Sequence, residues 1–354
     1  MPSHPQKNIN RFSDEASEHV ANIKRISIKD VARRANVSIT TVSRVINKVP
    51  TVDPDNVKRV EEVIAELKYR PNINARRLVS GANNTIGLVI PSYPGIFYSF
   101  FAIEIIRGVG HACESLQLDM VFHISDGAKN FNSHFLEGII FADIIENRRQ
   151  VQAAVAQNIP CMVVNNLVQD IDVNYIAVNN LKGGKIAAGY LAGLGHKKIA
   201  TITGNVKTQA GFDRFDGFMK GIDEAKVTIP KDYVFRGDYS RRCARQAAEF
   251  FFSLSDRPTA IFAQSDDMAL EVIAVANEKG LNVPNDVSVM GFDDNPQALY
   301  ASIGLTTIRQ PLFEIAEKAT RVLHEIMNGK REERYRSVVD PELVLRDSCA
   351  PIKA

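Results

Sequence analysis

Apolar positions recur at helical spacing from Ser27 onward, where Ile28, Val31, Ala32 and Ala35 line one face and Ser27 stands where a helix cap belongs. Asn36 and Val37 break that period, and Ser38 caps a second short helix. Its Val42, Val45 and Ile46 face inward, while Thr40, Thr41, Ser43, Arg44 and Asn47 face out. The run Asp53-Pro54-Asp55 supplies an N-cap with proline at the first helical position, and opens a third helix with Val57, Val60, Val63, Ile64 and Leu67 as its buried stripe. Three such helices close a miniature core. Pro71 is expected to stop the third near Tyr69, and the stretch Asn72 to Ser80, with Ala75, Arg76, Arg77 and Leu78, suits about two turns of marginal helix acting as a hinge.

Beyond Gly81-Ala82-Asn83-Asn84 the texture changes to short apolar runs alternating with helix-sized spans. The predicted strands are TIGLVIP (85–91), Met120–Ile124, Gly138–Phe141, Cys161–Val164, Ile176–Val178, Ile199–Ile202, Ala260–Ala263 and Val287–Met290. This pattern predicts an α/β fold with parallel sheets, whose ligand crevice lies at the carboxyl ends of the strands. The expected organisation is a polar flexible tail over residues 1–24, a helix-turn-helix unit over 25–70, a hinge and linker over 71–84 and a larger α/β domain over 85–354.

Charge sharpens this division. The whole chain carries +2, but Lys24–Ser80 holds thirteen basic against six acidic side chains, a net of +7, and leaves −5 for the rest. A short basic module beside an acidic body is the footprint of a polyanion binder, although a solvated charged face has the same composition. No apolar run approaches the roughly 18 residues that span a bilayer, and the opening residues lack the apolar core of a secretory signal, so a cytoplasmic protein is expected. Cys113, Cys161, Cys243 and Cys349 are scattered without a C-x-x-C pair, as packed, reduced thiols would be.

Enzyme signatures are missing. The chain has no G-x-x-x-x-G-K-[ST] loop, no G-x-G-x-x-G after a strand, no G-x-S-x-G elbow and no H-E-x-x-H. His196 follows a helix-ending glycine, and the adjacent pairs Asp266-Asp267 and Asp293-Asp294 are poorly placed to share one metal ion. Neither enzyme activity, cofactor nor metal is expected. A solute-binding protein without any DNA role is the other reading of the α/β domain.

At the level of motifs, ISIKDVARRANVSITTVSRVIN, YRPNINARRLVSGANNTIGLVIP, LGHKKIATITG, the RFDGF element and SVMGFDD together resemble the lactose/galactose repressor family of bacterial regulators, over residues 26 to 348. The resemblance implies a repressor whose second helix enters the major groove of a near-palindromic operator in double-stranded DNA. It points to Ile39, Thr40 and Arg44 as base readers, with Arg44 able to grip a guanine bidentately. Ser27, Ser38, Thr41, Ser43 and Asn47 match backbone-phosphate contacts, with helix capping as the alternative for the hydroxyls. Leu78 matches a leucine that wedges into the minor groove from a hinge helix, with packing in the linker as its alternative. Two such helices imply a homodimer, or a tetramer built from dimers.

The α/β portion resembles the periplasmic sugar-binding proteins, with two similar subdomains around a cleft for a small-molecule effector, a sugar or sugar derivative. Asp293 matches a carboxylate that takes ligand hydroxyls or amines, and Arg214 an arginine that spans ligand polar groups, the alternatives being a helix N-cap and a salt bridge. Asp266 is expected to cap the helix that starts there, with a cleft role as its second reading. Ser265 stands where sugar-binding relatives often carry asparagine. Tyr98 and Phe101 could stack on a ligand ring or fill the core. The link 126–137 is barely long enough for a parallel crossover, so a helix there is expected to be truncated or missing.

Overall fold

The computed structural model describes residues 26–69, 84–92, 95–128, 133, 135–300 and 302–352. The chain divides into two compact units, residues 1–83 and 84–354. The expected tail over residues 1–24 and the marginal helix carrying Leu78 lie outside the described residues.

In the first unit, α1 (Ile28–Ala35), α2 (Ile39–Ile46) and α3 (Pro54–Glu66) pack around Val31, Val42 and Val60, all fully buried. Each helix begins on a side-chain oxygen. The Ser27 backbone N–H and hydroxyl both donate to Asp30 Oδ2, at 3.0 and 2.7 Å. Ser38 Oγ accepts the Thr41 N–H at 3.0 Å, and Asp53 Oδ1 accepts those of Asp55 and Asn56. The third helix ends sooner than Pro71 alone would require. Leu67 caps it, Lys68 turns left-handed (φ 49°), and the N–H groups of Lys68 and Tyr69 donate back to Ala65 and Ile64. That double bond pattern is a Schellman close, and it turns Tyr69 into the core.

The second unit holds two parallel sheets. The first subdomain's elements are β1 (Thr85–Pro91), a 3₁₀ turn Ile96–Tyr98, α4 (Phe100–Leu116), β2 (Asp119–Ser125), β3 (Gly138–Ala142), α5 (Arg148–Ala156), β4 (Cys161–Val164) and β5 (Asn174–Val178). The chain then builds a second subdomain from α6 (Asn180–Gly193), β6 (Ile199–Ile202), α7 (Gln209–Glu224), β7 (Val234–Phe235), α8 (Arg241–Ser253), β8 (Ala260–Ala263), α9 (Asp266–Glu278), β9 (Ser288–Met290), α10 (Gln297–Tyr300) and β10 (Thr307–Arg309). It returns to the first for α11 (Leu312–Met327) and β11 (Arg336–Val339), and crosses again to β12 (Glu342–Val344), which pairs with β10. The sheet orders are β11-β5-β4-β3-β1-β2 and β7-β6-β8-β9.

All eight strands predicted from the sequence are present. The four unpredicted ones, β7, β10, β11 and β12, are two to four residues long.

β2 and β3 pair in parallel with opposite sides of β1, so residues 126–137 must cross over it. Among the described residues of that link there is no helix. Leu136 covers the sheet instead, its Cδ1 lying 2.8 Å from where a Cβ on Gly87 would stand. On the edge strand Val121 stays 37% exposed.

Candidate DNA-reading face and effector cleft

The short α2 turns Val42 and Val45 into the core and leaves Thr40, Arg44, Asn47 and the apolar Ile39 exposed. Thr41 and Ser43 are half-buried. The Thr41 hydroxyl lies 2.9 Å from that of Ser38, so this pair fixes the helix start as well as presenting two hydroxyls beside it. Ser27, also at a helix start, has its hydroxyl committed to Asp30. Cations around α2 differ in their freedom. Arg34 is paired with Glu66 at 2.7 Å and Arg33 lies 3.7 Å from Asp30. Among the described residues no carboxylate stands within 4 Å of Arg44, which leaves its guanidinium available to an outside acceptor.

In the second unit, polar side chains converge at the carboxyl ends of both sheets, as the strand order requires. Arg214 projects from α7 and is buried. Its Nε donates to Asn180 Oδ1 (2.8 Å), one terminal nitrogen to the Gln264 carbonyl (2.8 Å) and the other to Gln310 Oε1 (3.2 Å). The guanidinium lies 3.8 Å from the ring centre of Phe292 and 5.9 Å from that of Tyr239. Asp293 closes the group: its Oδ1 is 3.5 Å from Arg214 and accepts Gln310 Nε2 at 2.5 Å. The structure therefore brings Arg214 and Asp293 together, and gives them a shared partner in Gln310.

Asp293 and Asp294 both sit at positive φ, 131° and 59°, a strained pair for non-glycine residues. Asp266 holds that turn in place. Fully buried, it accepts the Asn295 N–H at 2.7 Å and the Thr307 hydroxyl at 2.6 Å. Asp294 is gripped by Arg309 and Arg346, at 2.7 and 2.6 Å. The expected cap role of Asp266 is corrected here: Ser265 is the N-cap of α9, its Oγ accepting the Met268 N–H, and Asp266 is the first helical residue with its carboxylate turned to the loop. Burial pushes the Asp266 carboxyl well up from the ordinary carboxylate range, reinforced by the charge of Asp293. Burial also raises Asp293, against the opposing pull of Arg214 and Gln310.

The first subdomain supplies Asp143, Asn165 and Asn166, each directly beyond β3 or β4 and each buried. Asp143 is held at φ 87°, with its Oδ1 accepting the Ile145 N–H at 2.9 Å. Burial lifts its carboxyl to about 6. Across the cleft, Gln209 at the start of α7 makes a reciprocal pair with Leu167, accepting its N–H at 2.7 Å and donating to its carbonyl at 3.1 Å. Tyr239, at φ 70°, lays its ring on Gly204 so closely that a Cβ there would stand 2.0 Å from it. Two buried polar atoms at these strand ends have no partner among the described residues, Asn165 Oδ1 and Gln264 Nε2.

Tyr98 is 87% exposed, and Phe101 packs against the core between α4 and the first sheet. Asp143, Gln264, Tyr239 and Gln310 were not singled out by sequence. The strand-end rule would have found the first two, which directly follow or nearly follow β3 and β8, whereas Tyr239 and Gln310 sit in stretches with no period or motif.

Comparison with known proteins agrees with these two regions. The profile "Bacterial regulatory proteins, lacI family" matches residues 27–72, and "Periplasmic binding protein-like domain" matches residues 188–349. The chain is 32% identical over 341 residues to the HTH-type transcriptional regulator DegA of Bacillus subtilis, covering 93% of this chain and 99% of DegA. It is 33% identical over 334 residues to the HTH-type transcriptional repressor PurR of Aliivibrio salmonicida, covering 91% and 98% respectively. Among solved structures, the transcriptional regulator CelR in complex with cellobiose superposes with a TM-score of 0.68 at 28% identity, over 92% of this chain and all of that one. The lac repressor dimer bound to operator and an anti-inducer shares the fold at a TM-score of 0.78 and 23% identity, over the same shares. No helix of the described residues is long and apolar enough to cross a membrane. A headpiece of three capped helices, a two-lobed sensor and relatives matched almost end to end make this chain a member of the lacI family of bacterial transcriptional regulators.

Proposed function

We propose that this regulator acts as a repressor, binding a near-palindromic operator as a homodimer through α2 and answering to a small-molecule effector held between its two sensor subdomains. The observation that carries the DNA half is the exposed Arg44, with no carboxylate partner among the described residues, on a helix that also presents Ile39 and Thr40 outward. Ile39, Thr40 and Arg44 read base edges, while Ser38, Thr41, Ser43 and Asn47 set register on phosphates, with Ser27 contributing beside its cap. Leu78 wedges the minor groove. The effector half is supported by Arg214 of α7 beside Asp293, and by the buried polar atoms there that lack partners among the described residues. The cellobiose complex of CelR favours a sugar or sugar derivative as ligand class. Effector and operator are coupled by rotation of the subdomains, a linkage of about 1–3 kcal/mol in such systems. The protein works by binding rather than catalysis, in the cytoplasm where its DNA lies. Selection of bound fragments from genomic DNA, followed by mobility shift, tests this. Enrichment of a two-fold symmetric site is expected, and indifference to every duplex at modest salt would overturn the reading.

A further inference from the structure

Gln209 and Leu167 meet across the effector cleft, and each lies on a segment fixed to its own subdomain. Just before Leu167, the Asn165 N–H donates to the Ile176 carbonyl at 2.8 Å and Asn166 Oδ1 accepts the Ile144 N–H at 2.9 Å. Just after it, Val168 and Ile171 are buried in the core on one face of the first sheet. Gln209 opens α7, whose N-cap Thr208 accepts the Gly211 N–H on Oγ1 at 3.0 Å and donates to the Asn205 carbonyl at 2.7 Å. Both ends of the contact are therefore carried by the framework behind them.

The contact itself is a matched pair. Gln209 Oε1 accepts the Leu167 N–H at 2.7 Å, and Nε2 donates to the Leu167 carbonyl at 3.1 Å. A primary amide set against the N–H and C=O of one residue satisfies both, whereas the flipped amide would oppose donor to donor and acceptor to acceptor. Five residues further along the same helix, Arg214 donates to Asn180 Oδ1 and Gln310 Oε1, at 2.8 and 3.2 Å. Asn180 stands where the chain first crosses from β5 into the second subdomain, and Gln310 where it crosses back from β10 to α11. One helix thus grips the first subdomain through Gln209 and two of the crossing segments through Arg214, so parting the subdomains at the cleft breaks both Gln209 bonds together.

We infer that Gln209 is a positioning residue of the sensor: its amide sets the relative orientation of the two subdomains, and its removal shifts operator affinity with no small molecule added. This rests on the reading that subdomain rotation couples effector to operator, and it names one contact through which that rotation is regulated.

The test uses the full chain. Gln209→Ala loses both bonds, whereas Gln209→Glu keeps an acceptor for the Leu167 N–H and loses the donor to its carbonyl. In hydrogen exchange read by mass spectrometry, the peptide containing Leu167 should exchange about tenfold or more faster in the alanine variant, each bond contributing roughly fivefold, with the glutamate variant between it and the parent. Exchange along β4 should stay unchanged, which guards against a variant that has merely lost its fold. Small-angle X-ray scattering should show a larger radius of gyration for Gln209→Ala. Its affinity for the operator fragment recovered by selection, measured by mobility shift without any small molecule, should change by about fivefold or more, the lower end of such couplings, and that of Gln209→Glu by less. Unchanged exchange at Leu167, an unchanged scattering profile or a smaller change in operator affinity overturns the inference. A parent chain that binds no duplex overturns the regulator reading instead, and exchange and scattering then still decide whether Gln209 holds the subdomains.

Discussion

Replacing Gly217 with alanine should destabilise the protein, although alanine is the better helix former. Gly217 lies mid-helix in α7, where it meets α6 at backbone contact, and a Cβ built on it would stand 1.9 Å from the Leu181 carbonyl oxygen. Ordinary contact begins near 3.4 Å, so the two helices would have to part by about 1.5 Å. Overpacking of this kind costs about 1–3 kcal/mol, and the obstacle is backbone rather than a yielding side-chain tip, which places the cost at the upper end. Alanine's propensity returns up to about 1 kcal/mol, leaving a net loss near 2 kcal/mol and a fall in Tm of about 4–8 °C for a unit of this size. Effector affinity should fall with it, since Arg214 sits one turn earlier on the same helix. Gly189→Ala is the internal control: on α6, exposed, with nothing within 4 Å of the added methyl, it should raise Tm by a degree or more. Scanning calorimetry of both variants decides the matter. A Gly217→Ala protein melting at or above the parent temperature would show that the α6–α7 contact is looser than described.

Three further outcomes are expected. Arg44→Ala should erase preference at one operator position, at a cost of about 1–3 kcal/mol there, and an unchanged base profile in a selection experiment would remove Arg44 from the readers. Leu78→Ala should reduce specific operator affinity far more than non-specific affinity, and equal losses would argue against a wedge. His196 is buried, its Nδ1 2.9 Å from the Thr259 hydroxyl and its Nε2 3.1 Å from the Ala350 carbonyl, and burial holds its pKa below the ordinary 6.5. The unfolded chain therefore takes up the proton first, and stability should fall as pH drops below about 6.5; a His196→Gln variant losing stability over the same window as steeply would refute that assignment.

The fold was legible wherever a period ran for more than a turn or a strand's length. Ser38, Asp53 and Pro54 announced their helices because capping is local chemistry. Pro71 predicts the end of α3 near Tyr69, and the cap at Leu67 comes two residues earlier because Lys68 adopts a left-handed turn that no glycine marks. Asp266 misled for a related reason. Aspartate beside a helix start suggests a cap, yet the adjacent Ser265 fills that place and frees the carboxylate for Asn295 and Thr307, partners 29 and 41 residues away. Contacts of such range leave no trace in spacing. Arg214 and Asp293 came from family likeness, while the Gln310 that joins them had neither motif nor periodicity to expose it.

The return of the chain for α11 and β11 has a consequence for damaged or shortened products. A polypeptide ending after β5 would keep the headpiece and five strands, but it would lack both the edge strand beside β5 and the helix whose Leu312, Ile315, Ala319 and Leu323 seal one side of the sheet. Such a fragment exposes a sticky surface and an open strand edge, so quality control should clear it before it can occupy an operator. Nonsense alleles anywhere upstream of α11 should behave as simple losses rather than as poisons of the intact protein.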